Sequence, residues 1–513
     1  MLRAAEPPLG VTRMETDVPK QAEDRPEPTV DDAPSRRTRN EENVRRITHA
    51  SLPLGVARFG GPLVLGMALH TTFNLIDMFM VSRLAEGAAA LAALGICDML
   101  AAVATILSNG ISTATVAIIA RRTGARDLTG VRRATWQSML LVGALSVVFG
   151  AIGLVGSEVI VRGLMQAKGQ VADIAVGYLQ IILGGCYSIF FLLQITAILR
   201  ALGHAKSAAS LLIGGNVLNV FLGVVLIYGP GPYPSVFAWA EPIADALGIP
   251  RFGALGAAWA TLIGRTVPVL IGAGLLLLRK GGPKWHSLYL KPMWSELRSI
   301  VRIGWPSSAQ LVLRVSVILV FISLINANYT TAGDQSALTA YSICLRLETM
   351  ALFIGMGWGA AASTYVGVNL GAGLVRRAKN SGWIAAGYNV ILMCGLTAVF
   401  IYFAGPIVGF FDAAPSVLGV GREYLTTVGL TYCAIGVGVV LSQGMTGAGA
   451  TLSSLVLDAA VLLLIVVPGA FIVTEVLAAP RIVLWYVIGG GNVLAASAYA
   501  IYYARGSFLA KRI

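Results

Sequence analysis

The chain has 513 residues, of which 56% are hydrophobic and only 12% charged, with a mean hydropathy of +0.76. These figures exclude a soluble globular protein of this length and point to a polytopic membrane protein. The net charge of +13 is no nucleic-acid signal: the first 57 residues carry nine basic and ten acidic side chains, so the excess lies in the apolar body.

Residues 1–47 are rich in Pro, Glu, Asp and Arg, lack an apolar run and read as a disordered cytoplasmic tail without a cleavable signal peptide. A membrane-spanning helix needs about 20 mostly apolar residues. Twelve such stretches follow, at 58–82, 88–120, 134–156, 172–199, 207–228, 253–278, 299–327, 337–366, 380–410, 424–446, 450–474 and 482–504. The expected fold is an all-α polytopic membrane protein. Its N-terminal six-helix bundle covers 48–280, a cytoplasmic linker 281–298, a C-terminal six-helix bundle 299–505, and a cytoplasmic tail 506–513.

Loops on one side of these spans, with the C-terminal tail, hold 19 Lys and Arg, against six on the other side. The positive-inside rule then places both termini in the cytoplasm of a cell-membrane protein.

The first span carries His70, Asn74 and Asp77 at spacings of four and three, which puts them on one helix face. A carboxylate inside hydrocarbon is costly and marks a candidate functional site. The bland alternative is an interhelical hydrogen bond. Asn216 and Asn219 lie three apart on the fifth span and can face the same neighbour. Asp98, Arg265, Arg314, Arg346, Glu348 and Asp458 are further charges within spans, for which interhelical pairing is the first reading. The five cysteines lie within spans at no ligand spacing and read as small apolar residues, neither disulfides nor a metal site.

The sequence superimposes on itself at an offset near 245. Pro62 meets Pro306, Gly124-Ala125 meets Gly371-Ala372, and Gly203 meets Gly449. Each copy holds six spans, an even number, so both enter the membrane from the same side. Parallel repeats imply two bundles related by a pseudo-two-fold along the membrane normal, with a cavity between them. At the local offset of 244 the position of Asp77 is taken by Phe321, so the acid is peculiar to the first half.

Pro62, fourteen residues, then Asp77 and MFMVSRLAEGAAALAALG resemble the first-helix signature of the multidrug and toxic compound extrusion (MATE) family. ARRTGARD (120–127), ILRALGHAKSA (198–208), Asn219 in GNVLNVFLGVVLIYG, GALGAAWATLIG (253–264) and YVGVNLGAG (365–373) resemble its later signatures in order. The resemblance covers about residues 48–505. It implies twelve helices in two lobes and export of small amphipathic or cationic organic molecules in exchange for protons or sodium. It also implies cation coupling through Asp77. Departures are informative: Gly223 replaces an Asp found in some members four residues after the fifth-helix Asn. Arg314 replaces a glutamate of another branch, and TVGLTYCAIGVGVVLSQG offers no tenth-helix acid. The second-lobe cation site is thus unsupported, which leans toward the DinF-like branch.

The expected function is a monomeric, alternating-access antiporter, with the proton ranked above sodium. Asp77, Asn74 and Asn219 are the coupling residues. His70, Tyr178, Gln194, Asn216, Gln310 and Arg314 are the cavity candidates. Arg314 would either find a partner in Glu348 or Asp458 or repel organic cations. Sodium at Asp77 and Asn219 is the second-ranked ion; no cofactor and no nucleic-acid partner are expected. No GxxxxGK[ST], HExxH or CxxC occurs, so ATP-driven pumping by this chain and zinc hydrolysis lack their parts. A flippase for a lipid-linked glycan or phospholipid, using Arg265, Arg314 and Arg346 as a basic cavity, is one alternative. A receptor or scaffold that moves nothing is the other.

Overall fold

A computed structural model describes residues 39–278, 291–331 and 333–510. A short helix, α1 (Arg39–His49), precedes twelve helices long and apolar enough to cross a membrane. The first lobe holds α2 (Leu52–Ser82), α3 (Gly87–Gly124), α4 (Leu128–Leu164), α5 (Gly169–Ala201), α6 (Ala205–Tyr228) and α7 (Ala254–Leu278). The second holds α8 (Trp294–Tyr329), α9 (Ser336–Gly371), α10 (Val375–Tyr402), α11 (Pro415–Gly447), α12 (Thr451–Val476) and α13 (Arg481–Arg505). All twelve expected spans are present, and the fold is the all-α, two-bundle membrane protein that the sequence indicates.

The repeat is visible in how helices end. After α3, α5, α9 and α11, the third residue beyond the helix returns its N–H to a carbonyl five residues back. These bonds are Asp127 to Arg122 (2.9 Å), His204 to Leu199 (2.8 Å), Leu374 to Asn369 (2.8 Å) and Ala450 to Met445 (2.9 Å). This closure needs a left-handed residue between, and Gly203, Gly373 and Gly449 supply it at φ of 84°, 75° and 80°. Arg126 fills the fourth position at φ 59°. Equivalent helices also break alike. α5 is divided at Gly185-Cys186, and α11 by a 3-10 turn at Gly429–Thr431.

The core has three parts. One belongs to the first lobe and another to the second, both remote from the face carrying the chain ends. The third, nearest that terminal face, draws Phe59, Ala120, Tyr365 and Tyr503 from both lobes. There the lobes meet through glycine. A Cβ on Gly124 would lie 2.0 Å from the Val368 carbonyl oxygen, and one on Gly371 would lie 1.9 Å from the Arg121 carbonyl oxygen. The contacts are reciprocal about the pseudo-two-fold, as equivalent residues require. Small residues are what allows helix backbones to approach this closely in lipid, where apolar burial alone gives little preference for protein over acyl chains.

Three boundaries differ from the sequence reading. The tail expected at 1–47 gives way to α1 from Arg39, while residues 1–38 lie outside the described residues. Acidic Glu41 and Glu42 occupy its first turn and Arg46 and His49 its last, the order that suits the helix dipole. Val44 and Ile47, three apart, pack on the shared core, Ile47 at 3% exposure. Asn43 Nδ2 lies 2.9 Å from His204 Nδ1 of the first lobe, and Arg377 of the second donates to the Ile47 carbonyl at 3.1 Å. Two apolar side chains suffice because the lobes supply the surface, which a search for apolar runs cannot see. The linker expected at 281–298 ends earlier, since α8 begins at Trp294; residues 279–290 lie outside the described residues. The tail expected at 506–513 docks through the buried Phe508, with 511–513 outside the described residues. The cysteines are free, and Cys394 and Cys433 place their sulfurs 3.1 Å apart.

Gly373→Ala, with open space around the new Cβ, should cost about 1–2 kcal/mol from left-handed strain alone. Gly203→Ala should cost more, because its Cβ would also meet Asn43 Cβ at 3.0 Å and push on α1. Thermal unfolding of the purified variants in detergent checks the order; equal losses would show that α1 contributes nothing at this point.

Candidate functional site

Four helices of the first lobe converge on one group of charges. Asp77 on α2, Asp98 on α3 and Arg265 on α7 interact electrostatically, with the Tyr178 hydroxyl of α5 beside them. Among the described residues Asp77 makes neither a hydrogen bond nor an ion pair, and Arg265 forms no ion pair with either acid. With both acids ionised the three charges sum to minus one. The group therefore has room for one further positive charge.

The neighbouring amides do not close on Asp77. His70 Nδ1 sits 3.2 Å from Asn216 Oδ1, so the imidazole donates and the amide oxygen accepts. Asn219 Nδ2 donates to Thr261 Oγ1 of α7 at 2.9 Å. No hydrogen bond joins Asn74 or Asn219 to Asp77. Asn216 Nδ2 and Asn219 Oδ1, a donor and an acceptor one turn apart on α6, are buried without partners. Such orphaned groups are uncommon in native interiors.

Gln194 is not a cavity residue, contrary to the sequence reading. It is 0% exposed, accepts from Ser112 Oγ (3.1 Å) and donates to Thr115 Oγ1 (2.9 Å) and Ser138 Oγ (2.7 Å). Its amide hydrogens are both used in tying α5 to α3 and α4.

The second lobe resolves the question of Arg314. Its Nε donates to Asp458 Oδ2 at 2.7 Å, the partner being 3% exposed. Gln310 Nε2 donates to the same oxygen at 2.8 Å, and the Tyr499 hydroxyl lies 2.8 Å from Asp458 Oδ1. Asp458 is thus the partner, not Glu348. Glu348 instead accepts from the Tyr424 hydroxyl at 2.9 Å. Arg314, Asp458, Glu348 and Tyr341 line a cavity of about 170 Å³, whereas Gln310 stands behind it in the network. Arg346 reaches across the lobes to Met78 Sδ at 3.5 Å. Trp358 stacks on Tyr388 with centroids 5.1 Å apart, which occupies one face of its ring. No group of three or more His, Cys, Asp or Glu suited to a metal ion occurs among the described residues.

Asp98, Arg265, Thr261 and Tyr424 were missed as site residues by sequence reasoning. Asp98 and Arg265 carried a signal, as charges within spans. Thr261 and Tyr424 carried none, because their roles follow from partners 42 and 76 residues away.

The MatE family model matches residues 62–225 and again 309–472, two segments that correspond to the two lobes. A probable multidrug resistance protein, YpnP of Bacillus subtilis, is 28% identical over 402 residues, covering 78% of this chain and 83% of its own. A probable multidrug resistance protein, NorM of Thermotoga maritima, is 23% identical over 380 residues, covering 72% and 74%. Among solved structures, a MOP superfamily transporter from Pyrococcus furiosus, described as having a binding pocket of reversed polarity, superimposes with a TM-score of 0.80. It is 25% identical and is covered over 99% of its length by 92% of this chain.

Removing one member of the Arg314–Asp458 pair strands the other inside the lobe. Asp458→Leu should therefore destabilise the protein, by less than the loss of about 3–5 kcal/mol typical of a fully buried pair because Arg314 is 35% exposed, and Arg314→Met with Asp458→Leu should recover most of that loss. Thermal unfolding of the two variants checks this; a double variant no more stable than the single one would contradict the pairing.

Proposed function

Since the chain belongs to the multidrug and toxic compound extrusion (MATE) family, its two matched segments covering well over half its length, we propose that it is a cation-coupled antiporter. It exports small amphipathic or cationic organic molecules by alternating access, with the proton as the first coupling ion and sodium as the second. The observation that carries this reading is Asp77, an unpartnered carboxylate inside a membrane helix, in a group of charges one positive charge short of neutral.

The chemistry follows from that charge balance. A proton or an organic cation can neutralise the group, but the two together overfill it. Loading a proton from one side of the membrane therefore weakens the hold on a cationic substrate, and losing it to the other side restores that hold. The basic loops favour a cytoplasmic terminal face. The lobes adhere on that face and keep separate cores on the other. An inward opening then requires the seam at Gly124 and Gly371 to part. Sodium ranks second because it needs several oxygen donors, and Gly223 stands where some family members carry a fifth-helix Asp. The lipid-pyrophosphate alternative loses its basis in Arg314, whose charge is met by Asp458.

In everted membrane vesicles, Asp77→Asn should leave the protein folded and abolish substrate uptake driven by an acid interior. Sodium-free medium and an arm with a sodium gradient alone distinguish the two ions. Uptake by the variant at the wild-type rate, driven by pH, would sink the proposal.

A further inference from the structure

We propose that the second-lobe cavity is a separate binding site for small aromatic amines, held through Glu348. This names a substrate class on the premise that the chain is an exporter, but the site itself stands on the geometry of the lobe.

Charge comes first. Arg314 and Asp458 cancel each other across a 2.7 Å contact, with Gln310 and Tyr499 filling the remaining valences of the carboxylate. Glu348, on a different helix of the same cavity, has no cationic partner among the described residues. Its only hydrogen bond is from the Tyr424 hydroxyl at 2.9 Å, which leaves Oε1 without one. Ionised Glu348 therefore gives the cavity a net charge of minus one. The Tyr432 hydroxyl, buried without a partner, lines a smaller neighbouring pocket that Glu348 shares.

The walls then select what kind of cation. Val317, Phe321, Tyr341, Tyr424 and Ile488 make them apolar and aromatic. Phe321 stands where the first lobe has Asp77 and lines this cavity, so the two lobes place their carboxylates on different helices. A small inorganic cation needs several converging oxygens, whereas Asp458 is spent on Arg314, Gln310 and Tyr499 and no group of three or more His, Cys, Asp or Glu suited to a metal ion occurs among the described residues. An organic ammonium needs one carboxylate, aromatic faces and apolar contact for the rest of the molecule. Size narrows it further. About 170 Å³ is below the roughly 300–1,000 Å³ of drug-sized sites, so the occupant is a single-ring arylalkylamine and not a polycyclic drug.

Phenethylamine is the probe and phenethyl alcohol its uncharged counterpart. Each is titrated by calorimetry into the purified full chain in sodium-free detergent solution near neutral pH. The wild type should bind the amine about tenfold or more tightly than the alcohol. Glu348→Gln should erase that preference by weakening the amine about tenfold while leaving the alcohol unchanged. Ala495→Phe, which fills the cavity without touching Glu348, should weaken both. The same titrations on Asp77→Asn remove the first-lobe carboxylate as a competing amine site, and the Glu348 dependence should persist in that background. Binding needs no coupling, so a failure of the Asp77 antiport reading leaves this result intact, and the reverse also holds. A wild type with no preference for the amine, amine binding of Asp77→Asn that is indifferent to Glu348→Gln, amine binding unaffected by Ala495→Phe, or displacement of the amine by sodium chloride but not choline chloride would each overturn the proposal. Should Glu348→Gln fail to fold, the amine-to-alcohol ratio of the wild type and the Ala495→Phe loss still decide it.

Discussion

Backbone meets backbone where Gly124 of α3 approaches Val368 of α9 and Gly371 of α9 approaches Arg121 of α3. This reciprocal contact needs hydrogen in place of a side chain at two repeat-related positions, and it fixes how the lobes face one another. The same logic extends along the interface. Gly110 lies against Gly304 and Ser308 of α8, and its repeat mate Gly357 lies against Val64 of α2. At the terminal face this packing is joined by a polar link, in which Arg122 of α3 pairs with Glu296 of α8 at 3.0 Å and the Gln137 amide of α4 bonds the backbone of Lys291 and Met293. Lipid offers such a seam little hydrophobic drive to stay closed. Adhesion by close fit is compatible with two arrangements of the same lobes, and alternating access needs that property.

Around this symmetrical frame the polar chemistry is asymmetric. The first lobe holds two acids and one arginine without direct ion pairs, a group that can gain or lose a positive charge at modest cost. The second lobe has used its arginine to lock Asp458 into a buried network, leaving Glu348 as the one acid of its cavity without a cationic partner among the described lining residues. A pair as close as Arg314 and Asp458 is expensive to open and poorly suited to titrate with each cycle. The proposed ion exchange is therefore best placed in the first lobe.

Much of the fold was legible because its signals are local. Apolar length gives a span, and Pro62/Pro306 and Gly203/Gly449 give the repeat. The divided helices α5 and α11 were not, since their apolar runs continue through Gly185 and the turn at Gly429–Thr431. Helix α1 escaped because two apolar residues in eleven make no run, and its binding surface comes from elsewhere in the chain. At the site, Asp77 was conspicuous as a charge in hydrocarbon. Its companions Asp98 and Arg265 had the same mark but no visible geometry. Arg314 left two candidate partners open, because its contact with Asp458 spans 144 residues. Gln194 looked like a cavity residue for the same reason that it is none: a buried amide must find partners, and the sequence does not say whether they are substrate or protein.

The most direct test of the account is proton movement itself. Purified protein reconstituted in sodium-free liposomes, with an internal pH dye and the membrane potential clamped at zero, is given a cationic substrate on one side. Substrate entry should drive protons out of the lumen and raise its pH, in proportion to the substrate taken up. Substrate entry with no change in luminal pH would contradict proton exchange as the coupling reaction.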